Sequence, residues 1–172
     1  RAIMGLVAAE GGKVRLAGTE LGPLPAHRRA RLGLGYMPED RRLIGGLSVA
    51  DNLRLLGWAQ NIPDFEARLR AVYELIPELK GLGPRPAAAL SGGQQKLVAL
   101  GRSFLGARRL LLLDEPFEGL APALAERLLA GIRAFKDREV GLAVLVCESA
   151  FDWVRRLADQ IYTIERGEIS AA

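Results

Sequence analysis

Two adjacent acids, Asp114 and Glu115, follow a run of four leucines and precede a proline. The apolar run predicts a strand that is covered on both faces, and ligands in open α/β sheets bind at the carboxyl ends of such strands. We expect Asp114 to hold Mg²⁺, directly or through water, and Glu115 to polarise the water that attacks a terminal phosphate. The alternative is a solvent-exposed strand end, where acids are common.

A glycine-rich segment about twenty residues earlier could bind an anion. Ser91 stands where the N-cap of a helix is expected, and Gly92 and Gly93 leave backbone N–H groups uncovered. Such a helix start offers a hydroxyl group and the positive end of the helix dipole to a phosphate. Leu90 and Gln94 complete this motif; the alternative is an ordinary glycine-rich N-cap.

The rest of the chain supplies the elements that must position these residues. Apolar runs and helical periodicity predict strands that alternate with helices, which is typical of an α/β fold with a mostly parallel sheet. We expect strands over residues 12–18, 33–38, 110–113, 141–147 and 160–164, helices over 25–32, 122–136 and 150–158, and the end of an amphipathic helix over 1–6. The predicted division is a partial α/β core over 1–44, a helical subdomain over 45–106, and the C-terminal half of the core over 107–172.

Composition excludes several classes of protein. The 172 residues include 49% hydrophobic ones and carry a formal net charge of +4, which excludes a disordered tail, a collagen-like repeat and a disulfide scaffold. The basic excess is spread over short pairs, so we expect no nucleic-acid partner. We expect Cys147 to be a small buried hydrophobe. Trp58 and Trp153 are expected in the core, with a partner-facing groove as the alternative for Trp58.

Together the two motifs resemble the nucleotide-binding subunit of ATP-binding cassette (ABC) transporters, and the resemblance extends over essentially the whole chain. It implies a P-loop NTPase-type fold. Within that family, segments 36–42, 47–53, 73–79 and 118–122 look most like the ATPases of branched-chain amino acid importers. The alternatives are an ATPase that drives lipid or lipopolysaccharide export and a soluble ABC ATPase that does not act in transport.

The resemblance implies ATP and Mg²⁺ as cofactors and a working pair of ATPase subunits. Ser91 and Gly93 would close over the nucleotide of the second subunit, while Glu115 activates water. Glu39 stands where most of the family has a glutamine that helps to bind Mg²⁺. The partners would be integral membrane permease subunits, which would hold the ATPase on the cytoplasmic face of the cell membrane.

This sequence departs from the family pattern in two respects. No Gly-x-x-x-x-Gly-Lys-[Ser/Thr] loop occurs in it, and we expect that a preceding segment with this loop is missing and that the chain alone is inactive and poorly soluble. Ser149 stands where the family usually has a histidine that contacts the terminal phosphate. Because serine carries no positive charge, we expect slower hydrolysis, or a contact supplied by a partner.

Overall fold

The computed structural model describes residues 1–171 and forms strands and helices in alternation around a long helical segment. The strands are β1 (Arg15–Leu16), β2 (Thr19–Glu20), β3 (Leu34–Met37), β4 (Leu110–Asp114), β5 (Ala143–Cys147), β6 (Tyr162–Glu165) and β7 (Glu168–Ala171). The helices are α1 (Ala26–Arg31), α2 (Val49–Gln60), α3 (Phe65–Leu75), α4 (Glu78–Leu82), α5 (Gly92–Gly106), α6 (Pro122–Arg138) and α7 (Phe151–Leu157), with a 3₁₀-helix at Ala87–Ala89.

A parallel sheet in the order β3-β4-β5 forms the centre of the molecule and confirms the predicted α/β class. Leu111, Leu112 and Leu113 of the middle strand are all buried, as expected for a strand that is covered on both faces. The pairing register places Met37 beside Leu113, so the chain leaves β3 and β4 at the same edge of the sheet. The residues predicted to do chemistry follow at that edge.

The segment between β3 and β4 folds into helices α2 to α5. Ser48 caps α2, since its hydroxyl oxygen accepts the backbone N–H of Asp51 over 3.0 Å. The buried amide of Asn52 holds the loop before α2 through bonds to both backbone groups of Ile44. Helix α5 is buried along most of its length and packs on α6, where the rings of Phe104 and Phe135 stack with centroids 4.1 Å apart.

Two antiparallel hairpins lie outside the parallel sheet, and they correct two strand predictions. The strand expected over 12–18 is only β1, which pairs with β2, and the strand expected to join the parallel sheet at 160–164 is β6, which pairs with β7. Each hairpin turns through two residues with positive φ, Ala17-Gly18 and Arg166-Gly167. Such pairs form the tight turns that reverse a strand onto itself.

The first six residues form a turn, so the helix end expected there is wrong. Gly5 has φ +72°, and its N–H donates to the carbonyl of Ala2 over 3.0 Å. The buried guanidinium of Arg29 donates to the carbonyls of Ala2 and Ile3 over 2.8 and 2.9 Å. The left-handed Gly5 and the hydrogen bonds from Arg29 hold this segment as a turn.

The side chain of Cys147 is exposed, and its expected burial is wrong. It lies at the end of β5, an outer strand of the parallel sheet, in line with the exposed residues Ala143 and Leu145. Trp58 is 67% exposed, which overturns its expected place in the core and leaves the groove alternative. Trp153 is partly buried and stacks on Phe117 with centroids 5.2 Å apart.

None of the helices within residues 1–171 has the length and apolar character that a bilayer crossing requires.

Candidate functional site

Glu115 is held on both sides of its backbone at the end of β4. Its N–H donates to the carbonyl of Cys147 over 2.9 Å, and its own carbonyl accepts the Nζ of Lys96 over 2.8 Å. Between these two bonds the residue has φ +47°, a left-handed conformation that residues other than glycine rarely adopt. Strain of this kind persists only where the surrounding structure holds it.

Ser149 lies against the carboxylate of Glu115. Its backbone N–H and its hydroxyl group donate to the same oxygen, Glu115 Oε2, over 3.2 and 3.3 Å. The two residues expected to be catalytic come from the ends of β4 and β5, which are neighbours in the sheet. The fold therefore brings this pair into contact.

Glu148 completes a pair of carboxyl groups with Glu115. Burial and a hydrogen bond with Glu115 raise the pKa of Glu148 above its usual range. The pKa of Glu115 is lowered, first by the hydrogen bond from Glu148 and then by the two bonds from Ser149. The lowered pKa of Glu115 favours its ionised form, which is the state that a general base requires.

Asp114 and Glu39 are the two carboxylates expected to ligate Mg²⁺. Asp114 Oδ2 accepts the hydroxyl of Tyr36 over 3.4 Å, and the pKa of Tyr36 is raised by burial and by the charge of Asp114. Glu39 is exposed and follows β3 by two residues, at the same sheet edge as Asp114.

The donor set at this edge suits a magnesium ion that is shared with a nucleotide. Over residues 1–171 no three His, Cys, Asp or Glu side chains are grouped to enclose a metal ion. Mg²⁺ is commonly held by only one or two carboxylates, with substrate phosphates and waters as the other ligands. Asp114 and Glu39 are compatible with that role.

The start of α5 has the capped geometry expected from the sequence. The hydroxyl oxygen of Ser91 accepts the N–H of Gln94 over 3.3 Å, and the side-chain oxygen of Gln94 accepts the N–H of Ser91 over 3.1 Å. Leu90 is buried, whereas Ser91 and Gly92 are exposed. A Cβ on Gly93 would lie 2.6 Å from Cδ2 of Leu124 on α6, so a side chain at this position would displace the end of that leucine. These five residues form a group at the start of α5, where Ser91 and Gly92 leave the positive end of the helix dipole accessible to solvent.

Helix α5 also holds the loop that contains Glu39. The guanidinium of Arg102 donates to the carbonyls of Arg41 and Arg42 over 2.6 and 2.8 Å, and both of these loop residues have left-handed φ angles. Arg41 in turn donates to the side chain of Gln95 over 3.2 Å. Helix α5 therefore contacts the backbone of two loops. It contacts the loop that contains Glu39 at Arg41, and the loop after β4 at Glu115.

Sequence reasoning missed three residues of this site, namely Lys96, Arg102 and Glu148. A lysine or arginine in a helix is usually exposed, and nothing in the sequence indicates that Lys96 is 5% exposed. Glu148 did carry a signal, because it is an acid at the end of an apolar strand, like Asp114 and Glu115.

Several known proteins are similar in sequence to this chain. A family model described as ABC transporter matches residues 1–118. The BraG branched-chain amino acid transport ATP-binding protein of Pseudomonas aeruginosa is 35% identical over 94% of this chain and 68% of its own length. The probable branched-chain amino acid transport protein LivF of Archaeoglobus fulgidus is 29% identical over 99% of this chain and 72% of its own length. The lipopolysaccharide export protein LptB of Escherichia coli is 28% identical over 98% of this chain and 70% of its own length.

A solved structure extends the similarity to the fold. The nucleotide-free ATP-binding cassette of an ABC transporter superposes with a TM-score of 0.79 at 24% identity, and it covers 98% of this chain and 71% of the cassette. The mostly parallel sheet with its helical insertion is therefore the cassette fold. With the family match and the BraG relative, it identifies the chain as a member of the ABC transporter family, an ATP-binding and ATP-hydrolysing subunit.

Proposed function

We propose that this subunit hydrolyses ATP to drive the import of branched-chain amino acids or of a similar small solute. The observation that carries the hydrolytic part is the Glu115 carboxylate, which is fixed by Ser149 at the edge of the sheet where β3, β4 and β5 end. The solute class is supported by the relatives BraG and LivF, whose names assign them to branched-chain amino acid transport.

Each acidic group has its own role in this proposal. Glu115 accepts a proton from the attacking water, and the two hydrogen bonds from Ser149 keep its carboxylate ionised and oriented. Asp114 and Glu39 hold Mg²⁺, which neutralises charge on the phosphates when it is bound. Ser149 takes the position of the usual histidine without supplying a positive charge.

The signature residues, Leu90 to Gln94 at the start of α5, serve the nucleotide of a second ATPase subunit. Ser91 is exposed and Gly93 is partly exposed at the start of α5. The proposed division assigns this helix start to the helical subdomain, residues 45–106, and Glu115 to the core, residues 107–172. A head-to-tail pair would bring the helix start of each subunit to the acids of the other. Leu90, Gly92 and Gln94 would complete the phosphate contact, and hydrolysis would release the pair.

A groove between α2 and α3 is the proposed contact with a permease. It encloses about 500 Å³ and is lined by Trp58, Phe65, Arg54 and Arg70, among others. An exposed tryptophan with an aromatic neighbour suits a short helix from a membrane subunit. The ATPase would thus be held on the cytoplasmic face of the membrane.

The variant Glu115→Gln tests the hydrolytic role. In the full-length subunit we expect ATPase activity to fall by about 10² or more, because general-base catalysis contributes on that scale. Glu168→Gln is the matched control, since it removes the same charge from an exposed residue of β7. Normal turnover by Glu115→Gln would refute the proposal.

Lipid or lipopolysaccharide export is a second candidate, favoured by the similarity to LptB. Reconstitution of the subunit with an importer permease and with an exporter permease separates the two. Import predicts ATP-dependent uptake of leucine into vesicles only with the importer permease. Stimulation of ATPase activity only by the exporter permease would favour the second candidate.

A further inference from the structure

Lys96 is a buried lysine that joins α5, the signature helix, to the loop of the expected catalytic base. It lies on α5, five residues after Ser91, and is 5% exposed. Its Nζ donates to the backbone carbonyl of Glu115 over 2.8 Å and to that of Glu118. Both acceptors lie in the loop between β4 and α6, so one side chain spans two separate elements of the site.

A lysine at this position is not explained by packing alone. Burial disfavours an ammonium group, and an apolar side chain would fill a helix interior without that penalty. The partners that hold Lys96 are backbone carbonyls, and within residues 1–171 no carboxylate lies within ion-pair distance of its Nζ. Its hydrogen bonds therefore constrain the backbone of the loop between β4 and α6.

The loop needs such support at Glu115. The residue is held in a left-handed conformation, with its N–H bound to Cys147 and its carbonyl bound to Lys96. Loss of the second bond would free the peptide group that follows Glu115 to rotate. The carboxylate oxygen of Glu115 would then move away from the position in which Ser149 holds it.

We propose that Lys96 is a positioning residue for Glu115 and that it couples the signature helix of each subunit to the base of the same subunit. This inference rests on the proposed function, in which Ser91 serves the nucleotide of the partner and Glu115 serves the nucleotide of its own chain. Lys96 then connects two different nucleotide sites within one polypeptide. A displacement of α5 at one site changes the orientation of the carboxylate at the other.

A pair assembled from two different subunit variants tests this role. One full-length subunit carries Ser91→Arg and the other carries Glu115→Gln. Under the proposed function the mixed pair has one intact site, built from Glu115 of the first subunit and Ser91 of the second. Lys96→Met is then added to one subunit or to the other, and kcat and KM for ATP are measured.

The two placements have different expected results. In the subunit that supplies Glu115, Lys96→Met should lower kcat by on the order of 10-fold with little change in KM, since a small misplacement of a reacting group slows the chemical step. In the subunit that supplies Ser91 the loss should be smaller. Lys96→Arg in the first subunit should recover most of the rate, because it can still donate to carbonyls.

Equal losses in both placements would overturn the proposal, because they indicate a general folding role. If Lys96→Met does not fold, Lys96→Gln is compared in the same two placements with the same criterion. A mixed pair that is inactive before any change at Lys96 would refute the shared site of the proposed function, and the role of Lys96 with it. The two failures are therefore distinguishable.

Discussion

Ser149 donates two hydrogen bonds to a single carboxylate oxygen of Glu115, one from its backbone N–H and one from its hydroxyl group. In the proposed reaction Ser149 therefore acts on the general base, Glu115, and not directly on the phosphate. The backbone bond is available to any residue at this position except proline, whereas the hydroxyl bond is specific to serine or threonine. Substitutions at position 149 can separate these two contributions.

Ser149→Ala removes only the hydroxyl bond. We expect kcat to fall about five-fold, because one hydrogen bond of this kind contributes on the order of 1 kcal/mol. Ser149→Thr is the control, since it keeps a hydroxyl group, and its rate should stay near that of the unsubstituted subunit. An alanine variant as fast as the threonine variant would show that the hydroxyl bond does not contribute.

Ser149→His restores the residue that the family usually has at this position. An imidazole can donate to a terminal phosphate and carry a positive charge, so we expect faster hydrolysis than with serine. The measurement is the steady-state ATPase rate of the full-length subunit. A histidine variant that is no faster would show that the serine does not limit turnover.

Glu148→Gln should change how stability depends on pH. The pKa of Glu148 is raised above its ordinary value of 4.5, so between that value and the raised pKa the folded state retains a proton that the unfolded state releases. Stability conferred by the neutral form is therefore lost as the pH rises through this window. Glutamine cannot ionise, so the variant does not lose this stability as the pH rises.

We therefore expect the melting temperature of Glu148→Gln, relative to the unsubstituted chain, to increase from pH 4.5 towards neutral pH. Glu168→Gln should show no such trend, because its side chain is exposed. A difference for Glu148→Gln that stays constant with pH would mean that Glu148 ionises normally in the fold.

Gly35→Ala tests the contact between β3 and α5. A Cβ at this position would lie 2.2 Å from the carbonyl oxygen of Ser103 and 2.7 Å from the Cβ of Ala107. Because both neighbours belong to a packed helix end, we expect a loss of about 3 kcal/mol in the free energy of unfolding. Gly46→Ala, which meets no atom within 4 Å, is the control and should be nearly neutral. Equal denaturation midpoints for the two variants would contradict this packing.

Much of the fold follows from local sequence patterns. The leucine run predicts the central strand, and Ser48 and Ser91 mark the starts of α2 and α5, because strand burial and helix capping depend on residues close in the chain. The hairpins were missed for a different reason. The pairing of β6 with β7 depends on the Arg166-Gly167 turn, and a single strand segment does not reveal its partner.

Only the motif residues of the site can be predicted from the sequence. Asp114 and Glu115 stand out because acids end an apolar strand, and the parallel register then brings Ser149 to Glu115. The contacts of Lys96 with Glu115 and of Arg102 with Arg41 join residues that are 19 and 61 positions apart. Such contacts depend on how α5 packs against two loops, which the spacing of residues does not encode.

The most direct test of the account is the ATPase rate of an equal mixture of Ser91→Arg and Glu115→Gln full-length subunits, each of which should be inactive by itself. If each nucleotide lies between the helix start of one subunit and the acids of the other, mixed pairs regain one working site. The mixture should then recover about a quarter of the normal rate, since half of the pairs are mixed and each has one intact site of two. A mixture that stays as inactive as its components would contradict a site shared between two subunits.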